Sequence, residues 1–214
     1  MSGNVETVSD YGLDCKNREI YLHSYVGNTD EDPGVEYRMA VAFYKNIRLL
    51  DTISQEPIIV HMHSIGGCWN DGMAIFDAIS MARSVVTVLV YGQAESMSSI
   101  ILQAADRRVM MPNAYFMCHY GKSGYDGNYL DVQKAAMFEK RDLEVMLDIY
   151  TENVINGEYM KEHYSDPSEE KVKNFLKRKL KDGDWYLSAE EAVYYGFADG
   201  ILKTQKFPTI DSLK

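Results

Sequence analysis

Excess positive charge, paired cysteines and long apolar runs are all missing from this chain of 214 residues. Lysine and arginine number 22 against 32 aspartates and glutamates, a net charge of −10 at pH 7. That balance argues against a nucleic-acid partner, because binding a phosphate backbone begins with a concentrated basic face. The three cysteines, Cys15, Cys68 and Cys118, are scattered and lack CxxC spacing. Neither a disulfide framework nor a zinc site is supported, and a reducing compartment is expected. No apolar run approaches the ~20 residues of a membrane span, and the opening MSGNVETVSDYGLD has no apolar core of a secretion signal. The cytoplasm is the expected location. Internal repeats, low-complexity tracts and linkers are also absent, so an apolar fraction of 46% points to one large domain with a full core.

What is present is organised around residues 85–101, VVTVLVYGQAESMSSII. Residues 85–90 are β-branched and apolar, the pattern of a strand covered on both faces, and Gly92 is read as supplying a sharp turn. Beyond Met97 the spacing of Ile100, Ile101, Ala104 and Ala105 predicts a helix, which puts Ser96 at its N-terminus. Unpaired N–H groups there favour negative charge, and a serine hydroxyl at that point is either a cap or a nucleophile.

Around this stretch the chain alternates strands and helices. Residues 1–14 read as a polar arm, disordered alone or ordered only by a neighbour. A strand is expected at 18–22, an acidic turn-rich loop at 27–34, and an amphipathic helix at 35–50. A strand at 58–63 leads through the glycine pair of SIGGCWND into a helix carrying Met73, Ile75, Phe76 and Ile79. With the 85–90 strand this completes a βαβ unit, the element of a parallel sheet flanked by helices. Strands at 108–110 and 115–119, a long helix at 130–150, a capped helix at 168–180 and a short helix between Ser188 and Gly196 complete the reading.

Among five histidines, His119 ends a strand beside a glycine-rich connection, where catalytic groups collect. His163 reads as part of a polar loop. His61 and His63 form an HxH pair on one face of a strand, but no third ligand is spaced to join them, so strand surface or interface is the better reading and no metal is called for. Asp184 precedes an aromatic stretch expected to desolvate it. The basic run KNFLKRKLK at 173–181 reads as an ordinary amphipathic helix with Val172, Phe175, Leu176 and Leu180 inward.

Three separated stretches then resemble the proteolytic subunit of the Clp protease, the ClpP family of serine peptidases: SIGGCWNDGMAIFDAI, YGQAESMSSIILQAADRRVMMPNAYFMCH and DWYLSAEEAVYYGFADGIL. Their order and separations match the family's over roughly 18–202. The resemblance implies an α/β fold of the ClpP/crotonase type, with repeated ββα units, a mostly parallel sheet and a protruding handle helix at about 130–153. It implies one peptidase domain over 15–204 and a C-terminal tail at 205–214. It assigns Ser96 as nucleophile, His119 as general base, Asp184 as the carboxylate orienting the base, and the N–H groups of Gly67 and Met97 as the oxyanion hole, with no cofactor. Peptide or unfolded-protein substrates, stacked homo-oligomeric rings and an ATP-driven AAA+ unfoldase partner follow from the same resemblance.

The chain departs from the family pattern at Ile65, usually proline, at His63, usually asparagine, and at Tyr120-Gly121, usually Gln-Pro. Glu95 replaces a small residue and Ser98 a glycine. Glu95 is expected to point away from the oxyanion region. Such departures are common in phage-encoded and accessory members. Two other readings stand beside the peptidase: a noncatalytic ring or scaffold subunit, and a crotonase-like acyl-CoA enzyme, which shares the fold but has no need of Ser, His and Asp together.

Overall fold

A computed structural model of the chain describes residues 2–22 and 34–214. The acidic loop expected at 27–34 lies outside them except for Gly34, and so does His23. Among the described residues an eight-stranded sheet is flanked by helices, and no helix is long and apolar enough to cross a membrane.

The polar arm is helical over Ser2–Tyr11 (α1), and Leu13–Asp14 (β1) pairs antiparallel with Glu19–Leu22 (β2). Strand β1 left no pattern in the sequence because it is only two residues long and its partner defines it. Helix α2, Tyr37–Ile53, begins two residues later than the pattern suggests, since the Glu36 carboxylate caps it by accepting from the N–H groups of Arg38 and Met39. Met39, Phe43, Ile47 and Leu50 form its buried stripe. Strand β3, Ile58–Ser64, then lies parallel to β2, and α3, Trp69–Ser80, crosses over to β4, Val86–Glu95.

Strand β4 holds the sheet together and is longer than its apolar run, because it continues through Gly92 instead of turning there. Its first half pairs parallel with β5, Arg107–Met110, and its second half with β6, Tyr115–Cys118. Gly92 serves a different purpose from the one expected. A Cβ at that position would lie 1.8 Å from Nδ1 of His63, whose ring packs over the strand. Glycine inside a strand commonly marks such a close approach. Helix α4, Met97–Leu102, follows β4 with only Ser96 between them.

The long helix α5 spans Tyr129–Val154; Tyr129, Leu130, Met137 and Phe138 in its first half are exposed, while Met146, Leu147, Ile149 and Tyr150 enter the core. Helix α6, Glu158–His163, was missed by the sequence reading, which left His163 in a loop; its ring stacks on Tyr159 at 4.1 Å. Helix α7, Glu169–Leu180, buries the apolar stripe predicted for it. Strand β7, Trp185–Ser188, pairs antiparallel with β6, and α8, Ala189–Tyr195, starts at a Ser188–Glu191 capping box and ends at Gly196 in the left-handed region. Strand β8, Gly200–Ile201, adds to β5. The segment after it folds back, so that Phe207 and Leu213 cover Ile59, Leu89 and Val109 in a small second core.

Candidate active site

Three chain connections meet at the ends of β3, β4 and β6. The first is the glycine pair after β3. Gly66 has φ of +85°, and a Cβ there would come within 2.7 Å of Ser96 Cβ and the Met97 nitrogen. Only glycine allows the main chain this close to the start of α4. Val35 bridges the pair in parallel fashion, donating to the Gly66 carbonyl at 2.6 Å and accepting from the Cys68 N–H at 2.8 Å. In that pattern the N–H of Gly67, between them, points away from Val35.

The second connection carries Ser96. Its backbone has φ of 51° and ψ of −123°, a conformation that non-glycine residues rarely adopt and that sharp turns at functional sites hold against its cost. The surroundings fix it on several sides. The Ser96 N–H donates to the Met117 carbonyl at 2.9 Å, and its own carbonyl accepts from the Ser99 N–H at 3.0 Å and the Ser99 hydroxyl at 2.5 Å. With its proton so used, Ser99 Oγ is the acceptor for Tyr150 Oη, 2.7 Å away in the core end of α5. Burial keeps the Tyr150 phenol protonated, its pKa well above the usual value. Ser98 is buried and donates to Ser64 Oγ at 2.7 Å, which ties α4 to the end of β3.

The Ser96 side chain makes no capping bond to α4. Its Oγ instead lies 2.7 Å from Nε2 of His119, and His119 Nδ1 lies 2.9 Å from Oδ1 of Asp184. The third connection explains how. In the β6–β7 pairing Cys118 stands opposite Trp185, so the next residues along the two strands, His119 and Asp184, leave the sheet side by side. An ionised carboxylate only accepts, so the Nδ1 proton belongs to the bond with Asp184. Nε2 is then the lone-pair side and accepts the Ser96 hydroxyl proton. Next to this pair the Cys118 thiol is fully buried, and burial pushes its pKa far up, which leaves it inert as a competing nucleophile.

Asp184 is not desolvated by the aromatic residues after it. Its side chain is 42% exposed, because Tyr186 faces outward and Trp185 is only half-buried. The Tyr115 hydroxyl beside Glu95 donates to Gln93 Oε1 at 2.6 Å, and its pKa is raised by burial first and by the Glu95 carboxylate second. Glu95 forms part of the wall beside Ser96. The HxH pair takes part in none of this: His61 bonds Glu19 Oε2 at 2.9 Å and stacks on Tyr21, and His63 stacks on Tyr91.

Ser96, His119 and Asp184 open into a cavity of about 950 Å³ that also takes in Gly67, Met97 and the α5 residues Leu143 and Met146. The first-turn N–H of Met97 has no acceptor within its helix, and the Gly67 N–H is turned from Val35. A polarised hydroxyl, an imidazole with a free lone pair, a carboxylate behind it and two amide donors are the components of acyl transfer. Sequence reasoning nominated all five residues. It missed Ser99 and Tyr150, for which a serine one helical turn after Ser96 was the only signal.

The model of the Clp protease family matches residues 32–205. An ATP-dependent Clp protease proteolytic subunit from Deinococcus radiodurans is 31% identical over 173 residues, 78% of this chain and 76% of the relative. A protein of the same description from Dehalococcoides mccartyi is 28% identical over 196 residues, 90% of this chain and 86% of the relative. Among solved structures, a ClpP1 mutant from Listeria monocytogenes superposes with a TM-score of 0.68 at 23% identity, covering 94% of this chain and 96% of that one. The chain belongs to the Clp protease family.

Proposed function

We propose that the protein is a cytoplasmic serine endopeptidase that cleaves unfolded polypeptides, with Ser96 as nucleophile, His119 as general acid and base, and Asp184 as its orienting carboxylate. The observation that carries this reading is the continuous hydrogen-bonded series from Ser96 Oγ through His119 to Asp184 inside an open cavity. In the reaction Ser96 Oγ attacks the substrate carbonyl carbon as its proton passes to His119 Nε2. The negative oxygen of the tetrahedral intermediate is received by the N–H groups of Gly67 and Met97. Each such donor is worth about 2.7–4 kcal/mol in related chemistry. His119 then protonates the leaving amine, the peptide is left as an ester on Ser96, and water activated by the same imidazole releases it.

Assembly into stacked homo-oligomeric rings and an ATP-driven unfoldase partner belong to the same proposal; the relatives are named proteolytic subunits of an ATP-dependent protease. The exposed half of α5, with Tyr129, Leu130, Met137 and Phe138, supports self-association, since a free helix rarely keeps such a stripe in water. The decisive experiment is labelling of the purified chain with a fluorophosphonate, alongside Ser96→Ala. Stoichiometric labelling lost in the variant is expected. A chain that assembles and never reacts would be a scaffold subunit, and labelling that survives the substitution would remove Ser96 from its role.

A further inference from the structure

The two amide donors assigned to the oxyanion have a common arrangement. In a planar trans peptide unit the carbonyl and the N–H that follows it point opposite ways, so whatever holds the carbonyl aims the N–H. The Gly67 N–H belongs to the unit whose carbonyl is that of Gly66, held by the Val35 N–H at 2.6 Å. The Met97 N–H belongs to the unit whose carbonyl is that of Ser96. Ser99 holds this carbonyl twice, through its N–H at 3.0 Å and its hydroxyl at 2.5 Å. The first unit is fixed by main chain, whereas the second also depends on a side chain.

A serine hydroxyl that returns to a carbonyl three or four residues before it is a common local bond and by itself says little. This one is fully buried and receives a second hydroxyl, that of Tyr150, from α5, 51 residues away in the chain. Tyr150 is itself fully buried, and its ring stands edge-on to Phe116 and Phe197. The core therefore aims the phenol, the phenol fixes the Ser99 hydroxyl, and that hydroxyl fixes the peptide unit that ends in the Met97 N–H. Hydrogen bonds in series also polarise one another, which strengthens the donor at the far end. The same bonds oppose relaxation of the Ser96 backbone out of its rarely populated conformation.

We infer that Ser99, backed by Tyr150, is a positioning residue that aims the Met97 N–H at the negative oxygen of the tetrahedral intermediate. This rests on the peptidase reading of Ser96. The test measures the second-order rate of fluorophosphonate labelling per folded molecule, together with thermal melts, for the native chain, Ser99→Ala, Tyr150→Phe and the double variant. Phosphonylation of Ser96 develops negative charge on an oxygen in the same place, so its rate reads the donor without a known substrate. Ser99→Ala is expected to slow labelling about tenfold, less than the ~10²–10³ that loss of such a donor outright costs, and Tyr150→Phe several-fold. Because the two act in series, the double variant is expected to label at the rate of Ser99→Ala. Stability is expected to follow a different order. Ser99→Ala strands the buried Tyr150 hydroxyl and lowers the melting temperature, whereas the double variant removes both hydroxyls and recovers most of it. Slow labelling at recovered stability is a result that a merely structural pair of hydroxyls does not give. Should Ser99→Ala fail to fold, the double variant, in which neither hydroxyl is left unpaired, carries the same comparison. Labelling at the native rate in any of the three variants, or losses that multiply in the double variant, overturns the inference while labelling of the native chain keeps the peptidase reading intact. Absence of labelling in the native chain removes both.

Discussion

Asp51 and Asp184 each face a basic side chain, and they could hardly be held more differently. Asp51, at the end of α2, is 1% exposed, and its carboxylate is saturated. It accepts from the N–H groups of Arg83 and Ser84, from the Ser84 hydroxyl and from Arg83 Nε, all at 2.9–3.2 Å. Asp184 is 42% exposed and has one partner, His119. A carboxylate surrounded by backbone donors fixes one piece of chain against another, here α2 against the link from α3 to β4. A carboxylate with a single imidazole partner stabilises little, and what it controls is which nitrogen of that ring carries the proton. Burial and saturation mark structure, whereas an exposed carboxylate bonded to a ring that is bonded to a hydroxyl marks chemistry.

The sharpest way to break this contrast is Asp184→Asn. The amide keeps the shape and presents a donor to Nδ1, so Nε2 becomes the protonated side and no longer accepts the Ser96 proton. A loss of about 10³–10⁴ in turnover is expected, as for the same change in serine-peptidase triads, with a melting temperature close to native. Progress curves on a fluorogenic peptide and thermal melts measure the two sides. A variant that cleaves within tenfold of the native chain would mean that Asp184 is only a surface residue beside His119.

The complementary change is Asp51→Ala, which leaves the buried Ser84 hydroxyl and two backbone N–H groups without their acceptor. A loss of about 3 kcal/mol in unfolding free energy is expected from such orphaned donors and the stranded Arg83, read from urea denaturation. Fluorophosphonate labelling per folded molecule should stay at the native rate. Stability within ~0.5 kcal/mol of native, the range of ordinary surface substitutions, would refute the assignment of Asp51 as a structural anchor.

The same contrast explains what the sequence could and could not reveal. His119 was legible as the end of a strand beside glycines and Ser96 as the start of a helix after a strand, whereas Asp184 was marked only by the aromatic stretch after it and took its role from the three resembling stretches. The glycine pair was legible because close main-chain approach leaves glycine no substitute. Asp51 was invisible, since its partners lie 32 and 33 residues away and nothing in a helix-ending LLDTI announces them. The role of Gly92 was misread for a related reason: its constraint comes from His63 on the neighbouring strand, not from its own turn geometry. Helix α1, strand β1 and the C-terminal turn at Ile210–Leu213 are defined by what they dock against, and such elements leave only a weak periodic trace. Local pattern therefore recovers the sheet and its edges, while long-range satisfaction of buried polar groups needs the fold.

The smallest expected effect is in the pH dependence of stability. Burial by itself would raise the Asp51 carboxyl, but the donors of Ser84 and Arg83 outweigh it and bring the pKa from 3.8 down to about 2. A folded-state pKa below the unfolded one means that the folded chain holds the ionised form more tightly. The contribution is therefore complete above about pH 4 and is lost as pH falls through about 2. The shift corresponds to about 2 kcal/mol, most of which is lost between pH 4 and pH 2. In Asp51→Asn, which has no charge to protonate, the fall in stability between pH 4 and pH 2 should be shallower than in the native chain by that amount. Urea midpoints taken across this window for the two chains separate the cases. Parallel curves for native and Asp51→Asn would show that acid unfolding is governed by other carboxylates, and that saturation by backbone donors holds Asp51 less firmly than its geometry implies.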